Sequence, residues 1–276
     1  MGGAPGAGRE GIWGWDGRRW TRRASNDGPG PRRHFALAYD SARGALLMHG
    51  GFDQVSGSLQ PDQHGDFWAW SQAGWRRLGE AGPGPRDHHA MVYDEARGVT
   101  LLYGGGRGLP GEQMLLGDTW SWDGESWTLL GTDGPPPRAT HRLVYDSSRH
   151  RVVLFGGWGE DELLGDTWEW DGQTWERRAT EGPAPRFASR MAYDEAREVT
   201  VLFGGRAGGI DFGDTWEWDG AAWSLRTTSG PSPRNVHAMA YDRERRRVLL
   251  FGGLHDGVRL CDLWEWTGER WRRLGP

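Results

Sequence analysis

The sequence predicts an all-β propeller, and three observations carry that reading. Tyr-Asp recurs at Tyr39, Tyr93, Tyr145, Tyr193 and Tyr241; a Trp-x-Trp pair recurs at Trp13, Trp68, Trp120, Trp168, Trp216 and Trp264; and no segment has helical periodicity. The Tyr-Asp steps are 54, 52, 48 and 48 residues. The 276 residues are therefore expected to form a single propeller domain with six blade positions, five complete and four-stranded, one partial. The partial blade falls at 1–23, and the complete ones at about 30–78, 84–130, 136–178, 184–226 and 232–274.

The repeat from Pro185 to Arg226 shows how each strand arises. Strand a is predicted through Ser189-Arg190-Met191-Ala192-Tyr193, and Asp194-Glu195-Ala196-Arg197 suits a tight turn because Asp favours its first position. Strand b, Val199 to Phe203, is nearly continuous in apolarity, as a strand covered on both faces should be. Gly204-Gly205 ends it, and a loop leads to strand c, Asp214 to Trp218, whose tryptophans sit two apart and so share a face. Asp219-Gly220 is a hairpin signal leading to strand d at Trp223. One such sheet cannot cover both of its faces, whereas blades stacked radially cover each other.

Composition narrows the function. The net charge of −5, without runs of one sign, argues against nucleic acid and anionic membrane surfaces, and no apolar stretch could span a bilayer. All 33 basic residues are arginine, so Schiff-base chemistry and a P-loop lysine are excluded. A single cysteine, Cys261, rules out an internal disulfide and fits a reducing, cytoplasmic compartment, although a disulfide-free secreted chain has the same composition. The first eleven residues lack the apolar core of a signal peptide.

Arg186 after Pro185, the pair Gly204-Gly205, and the spaced Tyr193 and Trp223 resemble the Kelch repeat, in the bacterial form that carries Tyr-Asp-x-x-Arg. The resemblance covers nearly the whole chain. It implies a Kelch-type propeller, a family used mostly for protein recognition and sometimes for enzymes.

Antiparallel order puts the a–b turns and c–d hairpins at one end of each blade and the b–c and d–a connections at the other. From Tyr to the first glycine is 11 residues in all five repeats, but from the second glycine to the next Trp the values are 17, 15, 11, 11 and 11. Length varies in the b–c loops, so the b–c/d–a face is the candidate site. Of 19 tryptophans, eighteen belong to the repeated framework, where core packing accounts for them. Trp158 alone falls outside it, in a b–c loop, where it could anchor a partner or fold over its own blade.

His89, His141 and His237 share one repeat position and read as structural. His34, His64, His88 and His255, with Asp53, Asp62, Asp87 and Asp256, lie in the candidate face, but no pair has diagnostic ligand spacing, so neither metal nor cofactor is expected. Asp66, Asp118, Asp166, Asp214 and Asp262 precede strand c and are expected to bond backbone amides, while Arg32, Arg86, Arg138, Arg186 and Arg234 are expected to be framework. Kelch binding residues tend to follow that arginine or the double glycine. Carried over, the resemblance implicates Arg33, His34, Asp87, His88, Ala139, Thr140, Phe187, Ala188, Asn235 and Val236, then Phe52, Asp53, Arg107, Trp158, Arg206 and His255. With Glu160 added, the set mixes both charges with aromatics.

Enzyme readings fare less well. A galactose-oxidase-like copper radical site needs free tyrosines, but five of six tyrosines are framework and Tyr103 lies in strand b. The iron-site spacing of nitrile specifiers is absent. Likeness to Kelch-type sialic-acid mutarotases would need a convergent carboxylate and arginines. Glu160, Arg107, Arg206, Arg142 and Arg190 are available, yet nothing in the sequence unites them. The expected function is non-catalytic binding of a protein partner; the alternatives are a carbohydrate-binding propeller, with Trp158 stacked on a sugar, or a Kelch-type sugar isomerase. At the N-terminus Met1-Gly2-Gly3 aligns with Phe155-Gly156-Gly157, so the chain starts as if at the end of a strand b. Truncation is the preferred reading, ahead of a fragment of a longer protein or a ring closed by a partner.

Overall fold

Alternation along one strand builds two layers of core at once. In blade 4, strands a (Arg190–Asp194), b (Val199–Phe203), c (Thr215–Trp218) and d (Trp223–Thr227) pair antiparallel in that order. Within strand b, Leu202 packs with Val153 and Phe155 of blade 3, and Val201 and Phe203 pack with Val248 and Leu250 of blade 5. The apolar run is buried on both faces because each face meets another blade. Trp216 and Trp218 both join the layer toward blade 3.

The computed structural model describes residues 11–24, 28–53, 62–108 and 114–275. The fold is an all-β, five-bladed propeller. Two compact units divide the chain, Met1–Tyr93 with Gly98–Gly131 and Asp94–Arg97 with Thr132–Pro276. Unit 1 holds blade 1 (Ala36–Asp40, Ala45–His49, Phe67–Ser71, Gly74–Gly79) and blade 2 (Ala90–Asp94, Val99–Arg107, Met114–Trp122, Trp127–Gly131). It also holds the pair Ile12–Trp15 and Trp20–Ala24, consistent with a partial blade. The expectation drawn from Met1-Gly2-Gly3 lies outside the described residues. Unit 2 holds blade 3 (Arg142–Asp146, Arg151–Trp158, Leu163–Trp170, Trp175–Ala179), blade 4, and blade 5 (Ala238–Asp242, Arg247–His255, Val258–Trp266, Trp271–Gly275). Among the described residues no helix is long and apolar enough to cross a membrane.

In blade 4 strand b ends at Phe203, before the double glycine, as expected from the sequence, whereas in blade 3 the double glycine bulges the ladder and lets it continue. Register shifts between Phe155 and Gly157, after which Gly157 pairs with Leu164 and Trp158 with Leu163. Blades 2 and 5 continue likewise, and blades 1 and 4 carry short separate ladders, Phe52–Asp53 with Asp62–Gln63 and Arg206–Ala207 with Ile210–Asp211. In blades 3, 4 and 5 the b–c connections are thus hairpins rather than irregular loops. Glycine is required after strand b: Gly204 has φ 64°, and a Cβ there would stand 2.4 Å from the Arg234 carbonyl oxygen.

That carbonyl belongs to a framework arginine. Arg186 is buried and donates Nη1 to Asp214 Oδ1 (2.6 Å), Nη2 to Asp214 Oδ2 (2.9 Å), and Nη1 also to the Gly204 carbonyl (3.1 Å). Trp216 Nε1 completes the carboxylate at 2.7 Å. The same pairing joins Arg32 to Asp66, Arg86 to Asp118, Arg138 to Asp166 and Arg234 to Asp262. The aspartates were expected to serve backbone amides; their principal partners are instead a guanidinium and an indole, because a buried cation needs an acceptor more than an amide does. Burial acts to raise the Asp214 carboxyl, but its hydrogen bonds to Arg186 and the charge there hold it below the usual carboxylate range. The arginine backbone then reaches the preceding blade: Gly157 donates to the Arg186 carbonyl (2.9 Å), and Arg186 donates to the Leu164 carbonyl (3.2 Å).

The opposite end is closed by Tyr-Asp-x-x-Arg. Asp194 accepts the Arg197 amide and its Nε (2.8 Å), Arg197 Nη1 reaches Glu217 at 2.6 Å, and Trp266 of blade 5 donates Nε1 to the same Glu217 at 2.9 Å. Trp218 donates to Glu169 of blade 3 in the same way.

Replacing Arg186 by Met should cost about 3–5 kcal/mol in urea unfolding, since Asp214 would be left buried and unpaired. A loss below about 1 kcal/mol would refute that role. A second outcome concerns pH. His49 is buried, and burial first, then the Arg86 charge, push its pKa from 6.5 down to about 3. Because the folded value is the lower one, its contribution is complete above pH 6.5 and is lost as pH falls toward 3. Stability should therefore decline from pH 7 to 5 with a slope approaching about 1.4 kcal/mol per unit for this proton. His49→Leu should flatten the slope, as read from urea midpoints across that range.

Candidate functional site

At the b–c/d–a end every blade makes the same turn. The residue after the framework arginine forms a backbone bridge with the residue after the double glycine: Arg33 with Phe52, Asp87 with Gly106, Ala139 with Trp158, Phe187 with Arg206, and Asn235 with Leu254. The following residue, His34, His88, Thr140, Ala188 or Val236, is left-handed, with φ between 47° and 58°. Such backbone costs about 1–3 kcal/mol for a side-chain-bearing residue and persists only where the surroundings enforce it. Here the enforcement is visible within each unit. His88 donates its amide to the His34 carbonyl (2.9 Å), Ala188 to Thr140 (3.2 Å), and Val236 to Ala188 (3.1 Å). The positions implicated by the family resemblance are rungs of a rigid ladder between blades.

In unit 1 the candidates form an aromatic and ionic cluster. The His34 ring stacks on Phe52 (5.2 Å, 11°) and lies 3.8 Å from the His88 ring. His88 Nδ1 is 2.5 Å from Asp87 Oδ1, and Gln63 Nε2 donates to Asp87 Oδ2 at 2.8 Å. Asp53 stands 3.6 Å from His64. Arg107 turns back on its own blade, donating Nε to the Pro85 carbonyl (3.1 Å) and Nη2 to that of Pro83 (3.2 Å).

In unit 2 Trp158 is the last residue of strand b rather than part of a loop, because the bulge carries the ladder onward. It exchanges two backbone bonds with Ala139 (2.8 and 2.9 Å), its ring meets Phe187 edge-on at 5.8 Å, and 48% of it remains exposed. Glu160 is exposed at the tip of that hairpin. The remaining candidates gather on a buried residue the sequence reading missed, Asp211. Its Oδ1 accepts Arg206 Nη1 (2.7 Å) and Asn235 Nδ2 (2.6 Å); its Oδ2 accepts the Asp256 amide (2.9 Å) and lies 3.6 Å from His255 Nδ1. Burial acts to raise the Asp211 carboxyl, but these donors hold it below the usual range.

Asp211, His255 and Asp256 each bring one ligand atom within 4.8 Å of the others. Three donors already occupy Asp211, so the group is built first as a clamp joining blade 4 to blade 5. Asp62 and Asp256 are exposed; Asp62 sits opposite Asp53 in the short ladder of blade 1, and Asp256 joins the group around Asp211. A positional signal for Asp211 did exist. Gln63–Asp87 and Asp211–Asn235 are each 24 residues apart, and each joins a b–c hairpin to the next blade with acid and amide exchanged. His89, His141 and His237 are buried as framework, Tyr103 is buried, and Cys261 is exposed.

With this geometry in hand, two likenesses to known proteins are informative. The family model described as the KLHDC2/KLHL20/DRC7 Kelch-repeats domain matches residues 60–219 and 123–267. The chain is also 35% identical over 117 residues to dynein regulatory complex subunit 7 of Chlamydomonas reinhardtii, covering 41% of this chain and 10% of that protein. The match thus spans about a tenth of that relative's length.

Asp211→Asn would replace one acceptor oxygen with an NH2 donor that faces existing donors. The expected result is a local loss of about 1–3 kcal/mol, read as faster amide exchange at Asp256 and a smaller fall in Tm than Arg186→Met produces. Unchanged exchange at Asp256 would show that the clamp contributes nothing.

Proposed function

The chain belongs to the KLHDC2/KLHL20/DRC7 Kelch-repeats family, and from that premise we propose that it is a non-catalytic module binding a protein partner through the b–c/d–a side of its blades. Its five blades form one propeller domain. Trp158 carries this reading. It is the one tryptophan outside the repeated framework, yet its ring stays half exposed on a backbone pinned to Ala139. A large aromatic held in place at low entropic cost is the usual anchor of an interface. Glu160, Arg206, Asn235 and His255 supply polar surroundings in unit 2, and Arg33, His34, Phe52, Asp53, Asp87, His88 and Arg107 offer a second contact group in unit 1.

The mixed charges fit a protein surface better than a polyanion, and the formal charge of −5 points the same way. The bacterial type rests on Tyr-Asp-x-x-Arg, since the matched relative is eukaryotic. A sugar is the second reading, favoured by the same exposed indole, which could stack on a pyranose ring.

Trp158→Ala should weaken partner binding by about 2 kcal/mol, or roughly thirty-fold, with the melting temperature little changed. Affinity capture with the full chain should run beside a glycan array. A glycan bound through Trp158 with no protein captured would favour the sugar reading. If Trp158→Ala unfolds the chain, while Arg33→Ala and Arg107→Ala leave binding intact, Trp158 is structural and the reading fails.

A further inference from the structure

Strand a begins with an arginine in only two blades of unit 2. Arg142 opens it in blade 3 and Arg190 in blade 4, while blade 5 has Ala238. These strands neighbour one another across the blades. The two side chains converge on one acceptor: Arg142 Nε and Arg190 Nη1 each donate to the Ser189 carbonyl at 2.9 Å. Two guanidinium groups sharing a single oxygen is an unfavourable arrangement, since like charges repel.

Nothing nearby offsets the charge. The framework arginines each hold an aspartate, but no carboxylate among the described residues pairs with Arg142 or Arg190. Burial alone lowers the Arg142 pKa to about 10, and burial together with the Arg142 charge holds that of Arg190 well below the usual guanidinium range. Beside them sits His237, fully buried, its ring nitrogens making no hydrogen bond among the described residues. It precedes Ala238 as Ser189 precedes Arg190, and both arginine charges act on it. Two convergent cations on one carbonyl lack an acceptor that carries negative charge.

We propose that Arg142 and Arg190 bind a small oxyanion, a carboxylate or a phosphate, at the start of strands a in blades 3 and 4. Guanidinium forks match either geometry through paired charge-assisted hydrogen bonds. The site does not depend on the protein-partner reading, because its ligand is small and its residues differ from the exposed candidates.

The test uses the full chain in chloride, with inorganic phosphate or malonate added at constant ionic strength, followed by thermal melts and calorimetric titration. The melting temperature should climb with the logarithm of one anion's concentration. Arg142→Gln and Arg190→Gln should each weaken that response about ten-fold or more, while Arg177→Gln, on the exposed strand d, leaves it unchanged. Arg190→Gln keeps the test valid should loss of the Arg142 bond between blades disturb folding. In chloride alone this variant should be at least as stable as the parent, because a repulsion is relieved. A response to phosphate only, or to malonate only, identifies which oxyanion fits. No response to either at tens of millimolar, or an undiminished response in both variants, would overturn the proposal.

Discussion

A buried guanidinium is an expensive thing to place in a blade, and most of the repeat can be understood as the means of accommodating it. Taking an arginine and a carboxylate out of water costs several kcal/mol per ion, returned only if geometry is good and the remaining donors are used. Arg186 meets both conditions through its bidentate contact with Asp214, the Gly204 carbonyl and the Ala184 carbonyl. The double glycine follows from this. The backbone must bulge to turn a carbonyl toward the guanidinium, and the bulge lies against the next blade's arginine carbonyl where no Cβ fits. The tryptophan two residues after the aspartate follows as well, since the second carboxylate oxygen needs a donor that brings apolar bulk with it.

The arrangement also joins blades. An arginine held by side chain in its own blade, and by backbone to the preceding one, fixes spacing without any contact that depends on loop length. Hairpins beyond the bulge can then lengthen, as in blades 1 and 2, while the left-handed ladder beneath them stays constant. Rigid footing under variable extensions is what a binding surface needs, because side chains already held in place lose little entropy on contact. Trp158 stands at that boundary, with its backbone in the constant ladder and its ring in the variable layer.

Much of this was legible in the sequence because identical repeats report identical environments. The period, the strand order, the two-sided burial of strand b and the inward Trp pairs all follow from spacing and apolarity. Partner identity was less legible. Asp214 reads as a turn or cap residue when seen alone, and only its distance of 28 residues from Arg186, repeated in three blades, links the two. In blades 1 and 2 the longer hairpins stretch the interval to 34 and 32, which obscures it. Trp158 was legible as an outlier but misplaced in a loop, because glycine pairs end strands more often than they bulge them. Asp211 was hard to see because its partners lie on three separate segments, and the one spacing it shares with blade 1, 24 residues, is masked by the exchange of acid and amide between the two pairs.

Repetition suggests where to look next. A residue present in every blade is explained by stacking, so chemistry is better sought where one blade departs from the others. Departures of two kinds occur in unit 2. At the hairpins they are exposed and individually paired, as with Arg206 on Asp211, so they shape a surface without leaving charge unsatisfied. At the first position of strand a the departure is half-buried and has no carboxylate partner among the described residues, with Arg142 and Arg190 where blade 5 has Ala238. Core packing cannot explain a pair of cations there, since alanine serves blade 5 without them. An uncompensated charge that the scaffold does not require is the mark of a ligand rather than of the fold.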